Sequence, residues 1–184
     1  MTPTFENILA VYNGAFPNHF VDGQNWYPSV HDLGISLCPH DPHRAWGVIA
    51  ALSPMTPWPR NVFLAERTFT EGKAYGCLTN NADKANRIYA GEDPLDVLGG
   101  MKITNFYLNI ANPYADNVTV DRHAHDIAMG EVFGKQPRKM LNSKGGYNEL
   151  ADLYREVADH IGILPSELQA ITWCAWREAI GITD

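Results

Sequence analysis

The sequence predicts an all-α fold, and three observations support this prediction. Apolar residues recur at helical spacing, and in one segment they fall at i, i+3, i+4 and i+7 on a single face. That stripe consists of Ile103, Phe106, Tyr107 and Ile110. Residues that favour helix ends bracket another segment, with Asp121 at its start and Gly130 at its end. The run of residues 118–120 is too short to make a β-sheet alone, and we find no convincing strand elsewhere.

Length and composition indicate one globular domain, spanning residues 1–184, with a substantial core. The chain has no apolar run long enough to cross a membrane and no basic-then-apolar leader, so we expect a cytoplasmic protein, in the host cytoplasm if it is viral. Its three cysteines (Cys38, Cys77 and Cys174) are far apart and fit neither a disulfide framework nor zinc or cluster spacing. The net charge of -7 argues against a general nucleic-acid coat protein, although phosphate contacts need only local basic groups.

Prolines, glycines and capping residues divide the chain into helices. We predict helices at about residues 5–16, 29–37, 43–52, 61–69, 81–90, 101–111, 122–129, 147–161 and 165–180. The segment 17–28 is predicted to be a loop because it contains Gly23 and ends on a proline. The helix at 43–52 is nearly all apolar, so we expect it to be the buried central helix.

The chain is organised around the stretch from Leu98 to Gly130. A Gly99-Gly100 turn leads directly into a helix whose first turn carries Lys102, and Asp121 caps the next helix. Backbone N–H groups at a glycine turn and a helix start form an anion-binding site. The pattern therefore predicts a phosphate contact close to an amine and a carboxylate.

The same stretch resembles the helix-hairpin-helix (HhH-GPD) DNA glycosylase superfamily, and its endonuclease III-like branch in particular. Residues 102–105 and 120–123 stand where the family has Lys-Thr-Ala-Asn and Val-Asp-Thr-His. Residues 50–56 resemble its Leu-Leu-Ser-x-Gln-x-Thr segment, and residues 81–88 resemble its Ser-Lys-Ala-x-x-Ile helix. The hairpin is shorter than the family's Leu-Pro-Gly-Val-Gly, and Met55 stands where a glutamine is expected.

The resemblance implies a helical bundle with a cleft between two lobes. The central lobe would cover about residues 45–130, and the N- and C-terminal helices would complete the second lobe. It also implies an enzyme that extrudes a damaged or modified base from double-stranded DNA and cleaves its N-glycosidic bond, working as a monomer. The segment beyond Gly130 lacks the four-cysteine pattern of an iron–sulfur cluster, so no cofactor is expected, although a structural monovalent cation at the hairpin is compatible with the family.

Two residues match the family's catalytic positions. Asp121 matches the aspartate that stabilises positive charge on the sugar and activates the attacking nucleophile, although spacing alone also fits a plain helix cap. Lys102 matches the amine that, when desolvated by burial, attacks the sugar and forms a Schiff base, although it also fits a phosphate contact or a solvated lysine. The sequence leaves open whether the enzyme is a glycosylase alone or a glycosylase and lyase.

Candidate DNA contacts lie in four places. They are Gly99, Gly100 and Met101 at the hairpin; Met55, Thr56, Trp58 and Arg60 in the proline-rich loop; Arg122 and His123 after the aspartate; and Lys135, Arg138 and Lys139 in a basic segment. The loop matches the family's segment that enters the void left by an extruded base, but it also fits a plain helix connector. The basic segment, residues 132–147, contains no acid and also fits a solvated loop.

A base pocket is predicted on the last helix, where Trp173, Trp176 and Arg177 offer stacking surfaces for an extruded base. The alternative is that these tryptophans pack on the core. Asp121, His123 and His125 would share one face of a strand and could bind a metal, but on a helix they diverge, so no metal site is predicted.

Two other functions remain open. One is a transferase on the same scaffold, which modifies a substituted pyrimidine in DNA without releasing it, as viral base-hypermodification enzymes with glycosylase-like domains do. The other is a DNA-binding module without chemistry, in which Asp121 is only a helix cap.

Overall fold

The computed structural model describes residues 2–182, and within this range its regular structure is entirely helical. The predicted all-α class is therefore confirmed. The α-helices are α1 (Phe5–Asn13), α2 (Pro17–Leu37), α3 (Pro42–Leu52), α4 (Trp58–Glu71), α5 (Thr79–Tyr89), α6 (Pro94–Val97), α7 (Met101–Ala111), α8 (Arg122–Met129), α9 (Lys144–Ile161) and α10 (Pro165–Ala179). A short 3₁₀ helix, Lys139–Asn142, precedes α9.

The chain divides into two compact units. One, here called the central unit, comprises Ser29–Asn112, and the other, the terminal unit, combines residues 2–28 with residues 113–182. Helix α8 belongs to the terminal unit, where it packs with α1 and α10. The expected lobe borders near residues 45 and 130 stay a prediction. The assignment of the whole chain to one domain stays a prediction.

The central unit is built around α3. Every residue from Ala45 to Leu52 is buried, and helices α4, α5, α6 and α7 all pack against this helix. The predicted buried central helix is thus confirmed. On α7, Tyr107 and Ile110 of the apolar stripe are buried, whereas Ile103 and Phe106 are half-buried.

In the terminal unit, α10 packs against α1, α8 and α9. Its core includes Ile8, Ile127, Leu150, Tyr154, Leu168 and Ile171. Helix α8 begins after Asp121 and ends at Gly130, whose φ of 74° lies in the left-handed region that glycine tolerates. A side chain at Gly130 would also meet Asn7, because an added Cβ would lie 2.8 Å from the Asn7 amide nitrogen.

The predicted loop at residues 17–28 is wrong, since this segment forms the first half of α2. Pro17 is the first residue of the helix, where a missing N–H costs nothing. Gly23 does not form a turn. It allows close packing of α2 against α10, because an added Cβ would lie 2.5 Å from the side chain of Ile171. The close contact with α10 therefore explains Gly23, which the local sequence alone suggests is a helix breaker.

No helix in residues 2–182 is both long enough and apolar enough to span a membrane.

Candidate active site

The carboxyl group of Asp121 is held by three N–H donors. Its Oδ1 accepts hydrogen bonds from the backbone N–H groups of His123 and Ala124, each at 2.8 Å, which makes Asp121 the N-cap of α8. Its Oδ2 accepts from the indole Nε1 of Trp173 at 3.2 Å. The predicted N-cap is confirmed, and the residue remains partly exposed to solvent.

Trp173 sits at the centre of a group of aromatic and cationic side chains. The guanidinium of Arg177 lies 4.1 Å from the centre of its ring, which is cation–π distance. The ring of Trp26 packs against it at 5.3 Å, and the ring of His123 meets it nearly edge-on at 6.5 Å. The structure therefore brings two residues of the predicted base pocket, Trp173 and Arg177, to the predicted catalytic carboxylate.

His123 is almost completely buried at this site. Burial lowers the pKa of its imidazole; the nearby Asp121 carboxylate opposes this effect, and the positive charges of Arg122 and Arg177 add to it. Arg122 Nε donates to His123 Nε2 at 3.2 Å, so this ring nitrogen acts as an acceptor. Both observations describe a neutral imidazole with its proton on Nδ1.

Trp176, the third residue of the predicted pocket, is placed differently from Trp173. Its indole Nε1 is buried, and no hydrogen-bond partner for it lies within residues 2–182. The two tryptophans of α10 thus differ in one respect that can be tested: Trp173 donates to the Asp121 carboxylate, and Trp176 does not.

The glycine hairpin lies in the central unit. Gly99 and Gly100 are exposed, Gly100 has a φ of 81°, and α7 begins at Met101 without a side-chain cap. The amine of Lys84 lies 3.4 Å from where a Cβ on Gly99 would stand. The uncapped N–H groups and this amine together favour an anion at the turn.

Lys102 also belongs to the central unit, and its side chain is exposed. The Schiff-base interpretation depends on burial of this amine, and the structure does not provide that burial. A phosphate contact or a solvated lysine fits its exposure.

The proline-rich loop presents Met55 to solvent. This side chain is 88% exposed, and its φ of 58° is a left-handed value that costs a non-glycine residue about 1 kcal/mol. The loop is nevertheless held firmly, because the buried Asn81 donates to the Pro54 carbonyl at 2.8 Å and Thr56 donates to the same carbonyl at 3.2 Å. A strained and exposed residue on a fixed loop is the pattern found at ligand-contacting sites.

Two residues assigned to that loop lie in a helix instead. Trp58 and Arg60 belong to the first turn of α4, which begins three residues earlier than predicted because Pro59 is tolerated there. Arg60 donates to the Gly76 carbonyl at 3.0 Å and lies 5.0 Å from the ring centre of Phe63.

The basic segment is tied to α8 by Arg138. Its Nε and Nη2 bind the two oxygens of Asp126 at 2.7 and 2.6 Å, and the Asp126 side chain is only 3% exposed. Lys135 and Lys139 are exposed, whereas a phosphate contact at Arg138 would compete with this ion pair.

Within residues 2–182, no three His, Cys, Asp or Glu side chains are grouped to hold a metal ion. His125 Nδ1 instead contacts Asp126 Oδ1 at 3.0 Å, and Asp126 is committed to Arg138. The expected lack of cofactors, and the cation allowed at the hairpin, stay predictions.

Sequence reasoning misses the roles of two residues at these sites and one pairing between side chains. Trp26 falls in the segment predicted to be a loop, and only a helical interpretation of residues 17–37 directs attention to it. Lys84 enters the sequence argument only as part of a motif, although the structure places its amine beside the hairpin. For Asp126, nothing in the local sequence identifies Arg138 as the partner.

Comparison with known proteins gives one family. No curated protein and no solved structure matches the chain. A family of unknown function (DUF7178) matches residues 1–180, nearly the full length. The chain therefore belongs to this family.

Proposed function

We propose that this protein is a DNA glycosylase-like enzyme of the helix-hairpin-helix type. It would extrude a damaged or modified base from double-stranded DNA and hydrolyse the N-glycosidic bond. The observation that carries the proposal is the carboxyl of Asp121, which is fixed by three N–H donors, remains partly exposed, and lies beside the Trp173–Arg177 pair.

The chemistry requires a carboxylate at the sugar. When the bond between C1′ and the base breaks, its electron pair leaves with the base and positive charge develops on the sugar. The Asp121 carboxylate would stabilise that charge and accept a proton from the water that adds to C1′. A carboxylate held from two sides needs little reorganisation for this step, which is the condition for electrostatic catalysis.

A base beside Asp121 needs a flat surface to lie on. The ring of Trp173 is already packed against Arg177 and Trp26, so the Arg177 guanidinium offers the stacking plane. Arginine planes hold unpaired bases much as aromatic rings do. The base-pocket prediction is thereby refined, with Trp173 supporting Arg177.

Contacts to the DNA itself are assigned to three further features. The uncapped start of α7 with Gly99, Gly100 and Met101 would bind a backbone phosphate, with Lys102 and Lys84 adding positive charge. Met55 would enter the stack that the extruded base leaves. Thr56, Trp58 and Arg60 follow it in the chain and would contact the flanking backbone.

The exposed position of Lys102 favours hydrolysis over lyase chemistry. An amine attacks the sugar carbon only when it is unprotonated, and burial is the usual means to achieve that. With water as the nucleophile, the products are a free base and an intact strand with an abasic site. Borohydride should then trap no covalent adduct, and a trapped adduct that disappears in Lys102→Gln would show the bifunctional reaction instead.

The deciding experiment is a panel of labelled duplexes that contain damaged, mismatched or hypermodified bases, read by mass spectrometry. A glycosylase creates abasic sites and releases a base of defined mass. A changed base mass without abasic sites would show a transferase and overturn the proposal. Binding without any change in mass would show a module without chemistry.

A further inference from the structure

The segment from residue 132 to residue 147 contains four basic residues and no acid, in a chain of net charge -7. Three of them, Lys135, Lys139 and Lys144, are exposed. The fourth, Arg138, has a side chain only 15% exposed. The segment therefore separates into three solvent-facing amines and one arginine that is turned inward.

Arg138 joins the segment to α8 through a group of connected hydrogen bonds and an ion pair. Its guanidinium binds both oxygens of Asp126, and its Nη1 donates to the Gly134 carbonyl at 3.3 Å. The backbone N–H of Phe133 donates to Asp126 Oδ2 at 3.1 Å. His125 completes the set, since its ring contacts Asp126 at 3.0 Å and meets the Phe133 ring edge-on at 4.7 Å.

These contacts keep Asp126 charged although it is buried. Burial by itself would raise the pKa of the Asp126 carboxyl, but hydrogen bonds from Arg138, His125 and the Phe133 N–H outweigh burial and lower it. A buried ion pair of this kind adds little net stability compared with an apolar pair, but it fixes geometry, because removal of either partner leaves an unpaired buried charge.

The C-terminal part of the segment is fixed by packing. The 3₁₀ helix Lys139–Asn142 packs on α9, and an added Cβ at Gly146 would lie 2.7 Å from the Met140 backbone. Lys139 and Lys144 are therefore carried on two elements in close contact. Lys144 opens α9, whose first turn contains no acid to offset the positive charge.

We propose that Lys135, Lys139 and Lys144 form a preformed surface for the phosphate backbone of duplex DNA, and that the Asp126–Arg138 pair holds this surface in shape. Arg138 is thus a positioning residue and makes no phosphate contact. The choice of duplex DNA as the polyanion rests on the proposed function. The division of roles between the lysines and Arg138 rests on the contacts above.

The first test separates a positioning arginine from a phosphate-binding one. Arg138→Lys keeps the charge but loses the planar fork that spans both carboxylate oxygens and the Gly134 carbonyl. We expect the affinity for an undamaged labelled duplex to fall about fivefold, and amide hydrogen exchange in residues 131–142 to accelerate. Arg155→Lys is the matched control, because Arg155 pairs with Asp116 and Asp152 outside the segment. Near-wild-type affinity and exchange in Arg138→Lys would overturn the positioning role.

The second test concerns the lysines. Removal of one phosphate-binding amine should make the plot of log affinity against log salt shallower by about 0.9. Lys139→Gln should show this change, whereas Lys73→Gln, which removes an exposed lysine in the other unit, should not. An unchanged slope in Lys139→Gln would remove this residue from the surface.

Both tests use binding and hydrogen exchange, so they are independent of catalysis. If the protein binds duplex DNA with these dependences but releases no base, the proposed function fails and this inference stands. If base release is normal while the Arg138 and Lys139 variants match wild type, the inference fails alone. If the wild-type protein binds no duplex, the proposed DNA-binding surface is wrong. Faster amide hydrogen exchange in Arg138→Lys would then support only a structural role for the ion pair.

Discussion

The indole N–H of Trp173 donates to Oδ2 of Asp121 at 3.2 Å, while Oδ1 of the same carboxyl caps α8. The two oxygens therefore have different partners: Oδ1 caps the start of α8, and Oδ2 is held by a side chain of α10. A cap alone would fix only Oδ1. This second contact distinguishes Asp121 from Asp93, the N-cap of α6, whose carboxyl accepts one hydrogen bond, from the backbone N–H of Leu95.

If the protein releases bases as proposed, Trp173→Phe should lower kcat for base release about tenfold while leaving KM almost unchanged. Phenylalanine retains an aromatic ring for Arg177 and Trp26 but has no N–H, so the substitution removes the hydrogen bond to Asp121 together with part of the packing area of the ring. A hydrogen bond to a charged group contributes about 1.5–3 kcal/mol, and a tenfold rate loss corresponds to about 1.4 kcal/mol. Steady-state kinetics on the accepted duplex measure the two constants.

Trp176→Phe is the matched control for that experiment. Among the described residues the indole Nε1 of Trp176 has no hydrogen-bond partner, so its removal should not slow base release and should relieve an unsatisfied buried donor. Equal losses of kcat in the two variants would mean that the Trp173 hydrogen bond has no particular role.

Asp121→Asn should reduce base release by roughly 10²–10⁴-fold, the usual contribution of general acid–base catalysis. Asparagine caps helices as well as aspartate does, so the DNA affinity should remain close to wild type, while the melting temperature should fall slightly because the asparagine NH2 would face the Trp173 N–H. Asp93→Asn, which changes the N-cap of α6, is the control for the loss of a capping charge. Normal turnover by Asp121→Asn would show that Asp121 is only a helix cap.

Met55→Gly should raise stability and lower activity together. Glycine adopts a φ of 58° without strain, and the 88% exposed side chain contributes little to the core, so we expect a gain of about 0.5–1 kcal/mol in the free energy of unfolding. On the proposed function, base release should decline, because the residue assigned to fill the vacated stack is missing. Urea unfolding and single-turnover kinetics measure the two effects.

Met55→Ala separates the effect of backbone strain from the effect of the lost side chain at the same position. Alanine keeps the strained backbone but removes the long side chain, so stability should stay near wild type while base release declines as in Met55→Gly. Full activity in both variants would exclude a role of Met55 in extrusion.

Stability should fall as the pH drops below about 6.5, in part because of His123. Burial lowers the pKa of His123 beneath its ordinary value of 6.5, so the unfolded chain takes up this proton first, and stability present above pH 6.5 is lost as the pH falls. One proton can contribute at most about 1.4 kcal/mol per pH unit. The pKa of Asp126 is lowered below 3.8, so protonation of this carboxyl affects stability only in more acidic solution.

The measurement is the free energy of unfolding between about pH 5 and pH 7.5, where histidine titrates. His123→Gln should show a shallower pH dependence than wild type, whatever its absolute stability. Met55→Ala, which removes no titratable group, should keep the wild-type dependence. Parallel curves for His123→Gln and wild type would remove His123 as a source of acid sensitivity.

Several elements followed from the sequence because the interactions that form them are local. The Asp121 cap and the Gly130 terminus of α8 depend on atoms within four residues of each end. The burial of α3 follows from an apolar run with no polar face. In contrast, α2 begins twelve residues before the predicted start, because Gly23 is explained by Ile171, a residue 148 positions away.

The sequence by itself determined the helical class and the cap at Asp121, since caps, apolar spacing and turn residues act over a few residues. Tertiary structure alone decided that Trp173 orients Asp121 and that Arg138 binds Asp126 instead of standing exposed. These pairs are separated by 52 and 12 residues, and they meet only after α10 and the basic segment have packed on α8. A side chain's partner is fixed by the packing of helices, which the local pattern of residues does not encode.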